Sequence, residues 1–165
     1  MKKEIITICG ELGSGKSSTA KGVAAKLAYT HFSSGDLFRQ VGVELGLTIN
    51  ELNKKAETDP SIDIKTDDKV REMSTKSKVV IDSRTAYHFI PESFKVYLEL
   101  PPEIAKHRVL SSLQHNTLRA QSEQASHVEE VFDKLKERFE SEQKRYWDLY
   151  QINNTNKAQY DLVID

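Results

Sequence analysis

The stretch Gly10-Glu11-Leu12-Gly13-Ser14-Gly15-Lys16-Ser17 carries the clearest chemistry in the chain. It matches the phosphate-binding loop pattern G-x-x-x-x-G-K-[S/T]. Glycines let the backbone turn tightly enough for its N–H groups to point at phosphate oxygens, and a following helix adds the partial positive charge of its N-terminus. A nucleoside triphosphate therefore has an expected seat from Gly10 to Ser18. Lys16 is expected to reach the β- and γ-phosphates, and Ser17 to coordinate Mg²⁺. The competing reading is a Gly-rich turn with no ligand. Strand–loop–helix context separates the two. Glu4-Ile5-Ile6-Thr7-Ile8-Cys9 before the loop reads as a buried strand, and Ser18 to Leu27 after it as an amphipathic helix.

Further candidates are an acid and a set of arginines. Asp82 ends the apolar run Lys78-Val79-Val80-Ile81. An acid at the carboxyl end of a buried parallel strand faces the crevice where α/β proteins bind ligands. Asp82 is expected to hold Mg²⁺ through water or to order Lys16 and Ser17; a helix or turn cap is the bland alternative. Arg84 lies two residues on, and Arg39 follows Ser33-Ser34-Gly35-Asp36. Both sit where a guanidinium could grip a phosphate. Arg138, Glu142 and Arg145 recur at i, i+4 and i+7, hence on one helical face. Two arginines bracketing a carboxylate could make an anion site or an ordinary salt-bridged helix surface, and periodicity does not choose between them. Arg119, in a polar segment, could swing over the phosphates. Lys106, His107 and Arg108 read as helix decoration. His31, His88, His107, His115 and His127 show no zinc-ligand spacing, and no Ser/His/Asp or Cys/His hydrolase set is present.

The elements that must position these groups alternate between strand and helix. Strands are expected near residues 4–9, 29–32, 78–82, 95–100 and 160–164. Helices are expected near 16–28, 36–45, 48–58, 64–76, 102–114 and 127–150. Ser34 reads as the cap of the second helix, and Thr48-x-x-Glu51 as a capping box. Such alternation implies a single α/β domain: a five-stranded parallel sheet with helices on both faces, in three layers. The core is expected at 1–33 and 77–165, with a helical insertion at about 34–76 and a small lid at about 112–127. In phosphoryl-transfer proteins such insertions carry an acceptor pocket and a closing lid.

Bulk properties bound the rest. The chain has 165 residues with 38% hydrophobic and 30% charged, enough for one domain with a full core. A net charge of −1 supplies no broad basic field for nucleic acid or an acidic membrane. The single cysteine, Cys9, rules out an intramolecular disulfide, reads as a small buried residue, and makes the cytoplasm the expected compartment. No apolar run approaches the ~20 residues of a membrane span, and Met1-Lys2-Lys3-Glu4 leads into a strand without a signal-peptide core. A monomer is expected.

Taken together, these motifs resemble the short, archaeal-type cytidylate kinases of the P-loop nucleoside monophosphate kinases. The resemblance runs through Ile6 to Ser17, His31 to Arg39, Thr58 to Asp63 with Asp67, Val79 to Arg84, Arg138 to Tyr146 and Tyr160 to Asp165, nearly the whole chain. It implies the P-loop NTPase fold, with 34–76 as the monophosphate-binding region. It implies that Arg39 and Arg84 hold the acceptor monophosphate, and that Arg138 and Arg145 contact phosphates of acceptor and donor, with Glu142 orienting them. Asp63 and Asp67 become candidates for reading the cytosine edge, since an acid can accept from its exocyclic amine. Three departures stand out. Ser83 replaces the usual Gly before the arginine. The lid is poor in arginine, so lid catalysis rests on Arg119 with Arg108 in reserve. The chain stops at Asp165, where relatives continue into a helix.

The function so implied is ATP- and Mg²⁺-dependent phosphorylation of CMP or dCMP to the diphosphate, with Lys16, Arg119 and Arg138 as the catalytic side chains. Two alternatives stay open. One is a small kinase for AMP, UMP or a metabolite alcohol. The other is a nucleotide-binding regulatory protein that does not transfer phosphate.

Overall fold

The computed structural model describes residues 4–101, 104–105, 107–108 and 128–165. Five strands, β1 (Ile5–Gly10), β2 (Thr30–Ser33), β3 (Val79–Asp82), β4 (Phe94–Leu98) and β5 (Leu162–Ile164), form one sheet in the order β2-β3-β1-β4-β5. All four pairings are parallel. Helices accompany them among the described residues, among them α1 (Lys16–Leu27), α2 (Ser34–Glu44), α3 (Ile49–Ala56), α4 (Ser61–Glu72), α5 (Ala86–Phe89) and α6 (Val128–Tyr150).

β3 is buried at every residue because helices cover both of its faces. Side chains alternate across the sheet. Val79 and Ile81 join Ile5, Val70, Ala86 and Ile90 in one core cluster. Val80 joins Ile8, Ala20, Ala24, Val96 and Leu98 in another. A separate cluster of Val41, Leu52, Ala56 and Ile62 binds α2, α3 and α4 together between β2 and β3. Register then places the site: Asp82 pairs with Ile8 on one side and with Ser33 on the other. The carboxyl ends of β1, β2 and β3 therefore open onto the same edge.

Several boundaries differ from the expectations. Ser33, rather than Ser34, caps α2, its hydroxyl accepting from the Asp36 N–H at 3.3 Å. The helix consequently begins at Ser34, two residues early. α4 starts at Ser61, where Asp59 accepts from the Ser61 N–H at 3.2 Å, and gives way to a 3-10 turn at Met73–Thr75. α5 was not expected, since four residues show no period. Ser83 Oγ builds it by accepting from the N–H groups of Thr85 (3.1 Å) and Ala86 (3.3 Å). The capping box at Thr48 and Glu51 is present with both of its bonds. Ile104, Ala105, His107 and Arg108 are helical; the lid at about 112–127 and Arg119 lie outside the described residues. Among the described residues no helix is long and apolar enough to cross a membrane.

Candidate active site

The loop between β1 and α1 is shaped by its glycines. Gly10 has φ 152°, and a Cβ there would lie 2.3 Å from the Leu98 carbonyl oxygen, so no larger residue fits beside β4. Gly15 takes φ 84° as the residue before α1, and no side chain caps that helix end. The first N–H groups of α1 therefore face the loop with their partial positive charge uncovered by a cap. Lys16 Nζ donates to the carbonyls of Gly10 (3.2 Å) and Glu11 (3.0 Å), curling the side chain over the loop. Burial first, and then the nearby Arg84 guanidinium, lower the Lys16 pKa to about 7.

Asp82, at the end of β3, is held from three sides. Its Oδ1 accepts from Ser33 Oγ at 2.9 Å and from Ser17 Oγ at 3.3 Å, and its Oδ2 lies 2.8 Å from His31 Nε2. Ser17 and Asp82 thus present two hard oxygen donors side by side, the donor type and sparse protein ligation that suit Mg²⁺. His31 and Ser33 went unnoticed in the sequence as Asp82 partners. Strand register was the missing signal, because β2 carries both residues to the edge of β3.

A wall of arginines faces the loop. Arg84 Nε lies 2.7 Å from Glu142 Oε2, and Arg138 Nε lies 3.7 Å from Glu142 Oε1. Arg39 Nη1 donates to Asp36 Oδ1 at 3.0 Å, one turn back on α2. Burial alone would raise the Glu142 pKa. The charges of Arg84, Arg138, Arg145 and Lys16 outweigh it and hold the carboxyl below its ordinary value. The resemblance implies that Glu142 orients both arginines; among the described residues it makes no ion pair with Arg145, on which its charge nonetheless acts. Arg145 turns instead to α4 and α3, donating to Asp63 Oδ2 (2.7 Å), Asp63 Oδ1 (3.4 Å) and Asn53 Oδ1 (3.0 Å), with Ser141 Oγ also accepting at 2.7 Å.

The two acids on α4 have separate environments. Asp63 has both oxygens on Arg145. No guanidinium is bonded to Asp67 among the described residues; Thr85 Oγ1 and Tyr150 OH donate to its two oxygens, each at 2.8 Å. Burial, reinforced by the charge of Asp63, pushes the Asp67 pKa up to about 6 against those hydroxyls and Arg71.

One cavity of about 490 Å³ brings most of these groups together. Gly13, Gly15, Lys16, Ser17 and Ser18 line it on the loop side, and Arg39, Arg84, Arg138, Arg145, Asp63, Asp67 and Asp82 elsewhere. Arg108 lines it as well, though the sequence suggested surface decoration first. Gly10, Glu11 and Ser14 belong to the loop without lining the cavity. Phe38, Ile49 and Tyr146 add an apolar and aromatic part to its wall that sequence spacing did not disclose.

A phosphate-binding loop at the edge of a parallel sheet, facing a second wall of cations, defines a P-loop enzyme of phosphoryl transfer. Residues 9–128 match the family model described as AAA domain. The chain is 37% identical over 164 residues to a cytidylate kinase of Natronomonas pharaonis, covering 98% of this chain and 80% of that protein. It is 35% identical over 162 residues to a cytidylate kinase of Methanocella arvoryzae, covering 98% and 86%. Among solved structures, shikimate kinase from Acinetobacter baumannii superposes with a TM-score of 0.59 at 16% identity, covering 99% of this chain and 84% of that one, a likeness of fold alone. The chain belongs to the cytidylate kinase family and is a nucleoside monophosphate kinase.

Proposed function

We propose that this enzyme transfers the γ-phosphoryl group of ATP to CMP or dCMP. The observation that carries the reading is the facing of two anion sites across one cavity: Lys16 and the open N-terminus of α1 on one side, Arg39, Arg84 and Arg138 on the other. A single triphosphate needs the first; a second phosphate needs the second. The cytidylate kinases it resembles support cytosine as the acceptor base.

Each side chain then has a part. The loop N–H groups seat the β-phosphate, and Lys16 swings from its carbonyls to the β- and γ-oxygens. Incoming anions raise the proton affinity of Lys16 and keep it charged. Ser17 and Asp82 hold Mg²⁺, which when bound neutralises charge on the donor phosphates. Arg39 and Arg84 grip the acceptor monophosphate so that its oxygen faces the γ-phosphorus in line, with Arg138 between donor and acceptor. Arg145, fixed on Asp63, borders the acceptor end rather than reaching freely for phosphate. Asp67, with Asp63 beside it, reads the exocyclic amine of the base. Residues 34–76 form the acceptor-binding region. No covalent enzyme intermediate is needed.

An acceptor screen with ATP tests this directly. CMP or dCMP should stimulate ADP release well above AMP, UMP and simple alcohols. Equal or greater stimulation by AMP, UMP or an alcohol would move the enzyme to another acceptor. ATP binding without stimulation by any acceptor would make it a nucleotide-binding protein that does not transfer.

A further inference from the structure

Arg84 is met twice by a single turn of α6. Its Nε lies 2.7 Å from Glu142 Oε2, and its Cζ lies 4.7 Å from the centroid of the Phe139 ring. Phe139 and Glu142 are three residues apart, so they project from one face of the helix. The carboxylate thus takes Nε, and the face of the Phe139 ring lies against the central carbon of the guanidinium. A guanidinium carries five N–H donors in a rigid plane. With Nε on Glu142, Nη1 is buried and has no hydrogen-bond partner among the described residues. A buried donor of that kind costs free energy unless something accepts from it, and Arg84 lines the cavity that faces the loop.

We propose that Phe139 is a positioning residue: its ring holds the plane of Arg84 so that Nη1 is presented to the phosphate of the acceptor. The inference rests on the acceptor reading given above. One contact at Nε leaves the guanidinium free to turn about that contact, which would carry Nη1 off its direction. The ring against the guanidinium resists that turn, through the attraction between a cation and a π-system and through bulk. Glu142 then neutralises Arg84 without consuming its fork. Removing the ring lets the guanidinium turn about Nε, and the acceptor loses Nη1 as a preformed donor.

The test uses the full chain and three variants: Phe139→Leu, Phe139→Met and Phe139→Tyr. Leu and Met keep apolar bulk without a π face; Tyr keeps the face. Binding of CMP without ATP is measured by calorimetry, and KM for CMP and for ATP by steady-state kinetics. We expect Phe139→Leu and Phe139→Met to weaken CMP binding and raise its KM by roughly three- to tenfold, while the KM of ATP stays within about twofold. Phe139→Tyr should restore CMP affinity. Should Phe139→Leu fail to fold, Phe139→Met carries the comparison. CMP affinity that is unchanged without the ring overturns the inference and leaves the acceptor reading standing. So does a joint loss of CMP and ATP affinity that Tyr does not restore, since packing alone would do that. A wild-type chain that binds none of CMP, AMP or UMP overturns the acceptor reading, and this inference with it.

Discussion

Glu142 Oε2 lies 2.7 Å from Arg84 Nε, joining the middle of α6 to the end of β3. Both side chains are largely buried, at 14% and 13% exposure. The same carboxylate stands 3.7 Å from Arg138. One acid therefore holds two of the arginines that line the cavity, one of them on its own helix and the other just past β3. Charges buried in this way gain little net stability as a set, but removing one member leaves the others unpaired.

Glu142→Gln keeps the shape and removes that charge. We predict a loss of about 3 kcal/mol in unfolding free energy at pH 7, read from urea denaturation. The sign of the pH dependence follows from the lowered Glu142 pKa. Its stabilising contribution is present above the ordinary carboxyl range and is lost as pH falls through the native value. The gap between variant and wild type should therefore narrow under acid. A gap that stays constant from pH 7 to well below the ordinary carboxyl value of 4.5 would contradict the role.

Lys16→Met should lower turnover by two orders of magnitude or more (roughly 10²-fold, the scale of losing one preorganised charge donor). The fold should survive. Burial and Arg84 already disfavour the charged form of this lysine, whose pKa of about 7 lies below its ordinary value. The penalty is largest below pH 7 and is relieved as pH rises toward 10.5, so the variant should be at least as stable as wild type near neutrality. A coupled ADP-release assay with a parallel melting curve checks both halves. Near-normal turnover would end the phosphate-loop mechanism.

Asp67→Asn separates recognition from stability. The wild-type carboxyl is raised from 3.8 to about 6, so the folded chain holds its proton more tightly than the unfolded one. That tighter hold favours folding below pH 3.8 and is lost as pH rises through about 6; at pH 8 the buried carboxylate is a cost. Asn removes that cost, so the variant should gain on the order of 1–3 kcal/mol relative to wild type between pH 4 and pH 8. CMP binding should weaken at the same time. A melting series across pH, set against CMP titrations, reads both. A variant with the same pH profile as wild type would show that Asp67 does not titrate in this range.

Gly10→Ala tests the loop backbone. The added Cβ would meet the Leu98 carbonyl oxygen at 2.3 Å, and φ 152° is strained for alanine. β1 and β4 must separate or the loop must shift. The expected result is a KM for ATP raised about tenfold or more, because a misplacement of about an ångström in a positioning element has such effects. Unchanged ATP affinity and unchanged stability together would rule out that close approach.

Part of this design is written locally and part is not. Gly10 to Ser17 announces a phosphate loop because the glycines, the lysine and the serine of the pattern lie within eight consecutive residues. The strand before Asp82 is legible because burial on both faces demands an unbroken apolar run. The Thr48 capping box is legible because its partners are three residues apart. Arg39 and Arg84 could be proposed from their places after strand ends. Their companions could not. Arg145 finds Asp63 across 82 residues and Asn53 across 92, although Glu142 is nearer along its own helix. Ser33 caps α2 while its hydroxyl also donates to Asp82, a neighbour only through the β2–β3 register. Helical spacing puts Arg138, Glu142 and Arg145 on one face but does not say what that face meets. The sheet order and the packing of α6 over α3 and α4 decide which buried charges come within reach of each other. Since a buried charge must find a partner, that packing alone determines that Arg145 is held by Asp63 while Arg84 and Arg138 share Glu142.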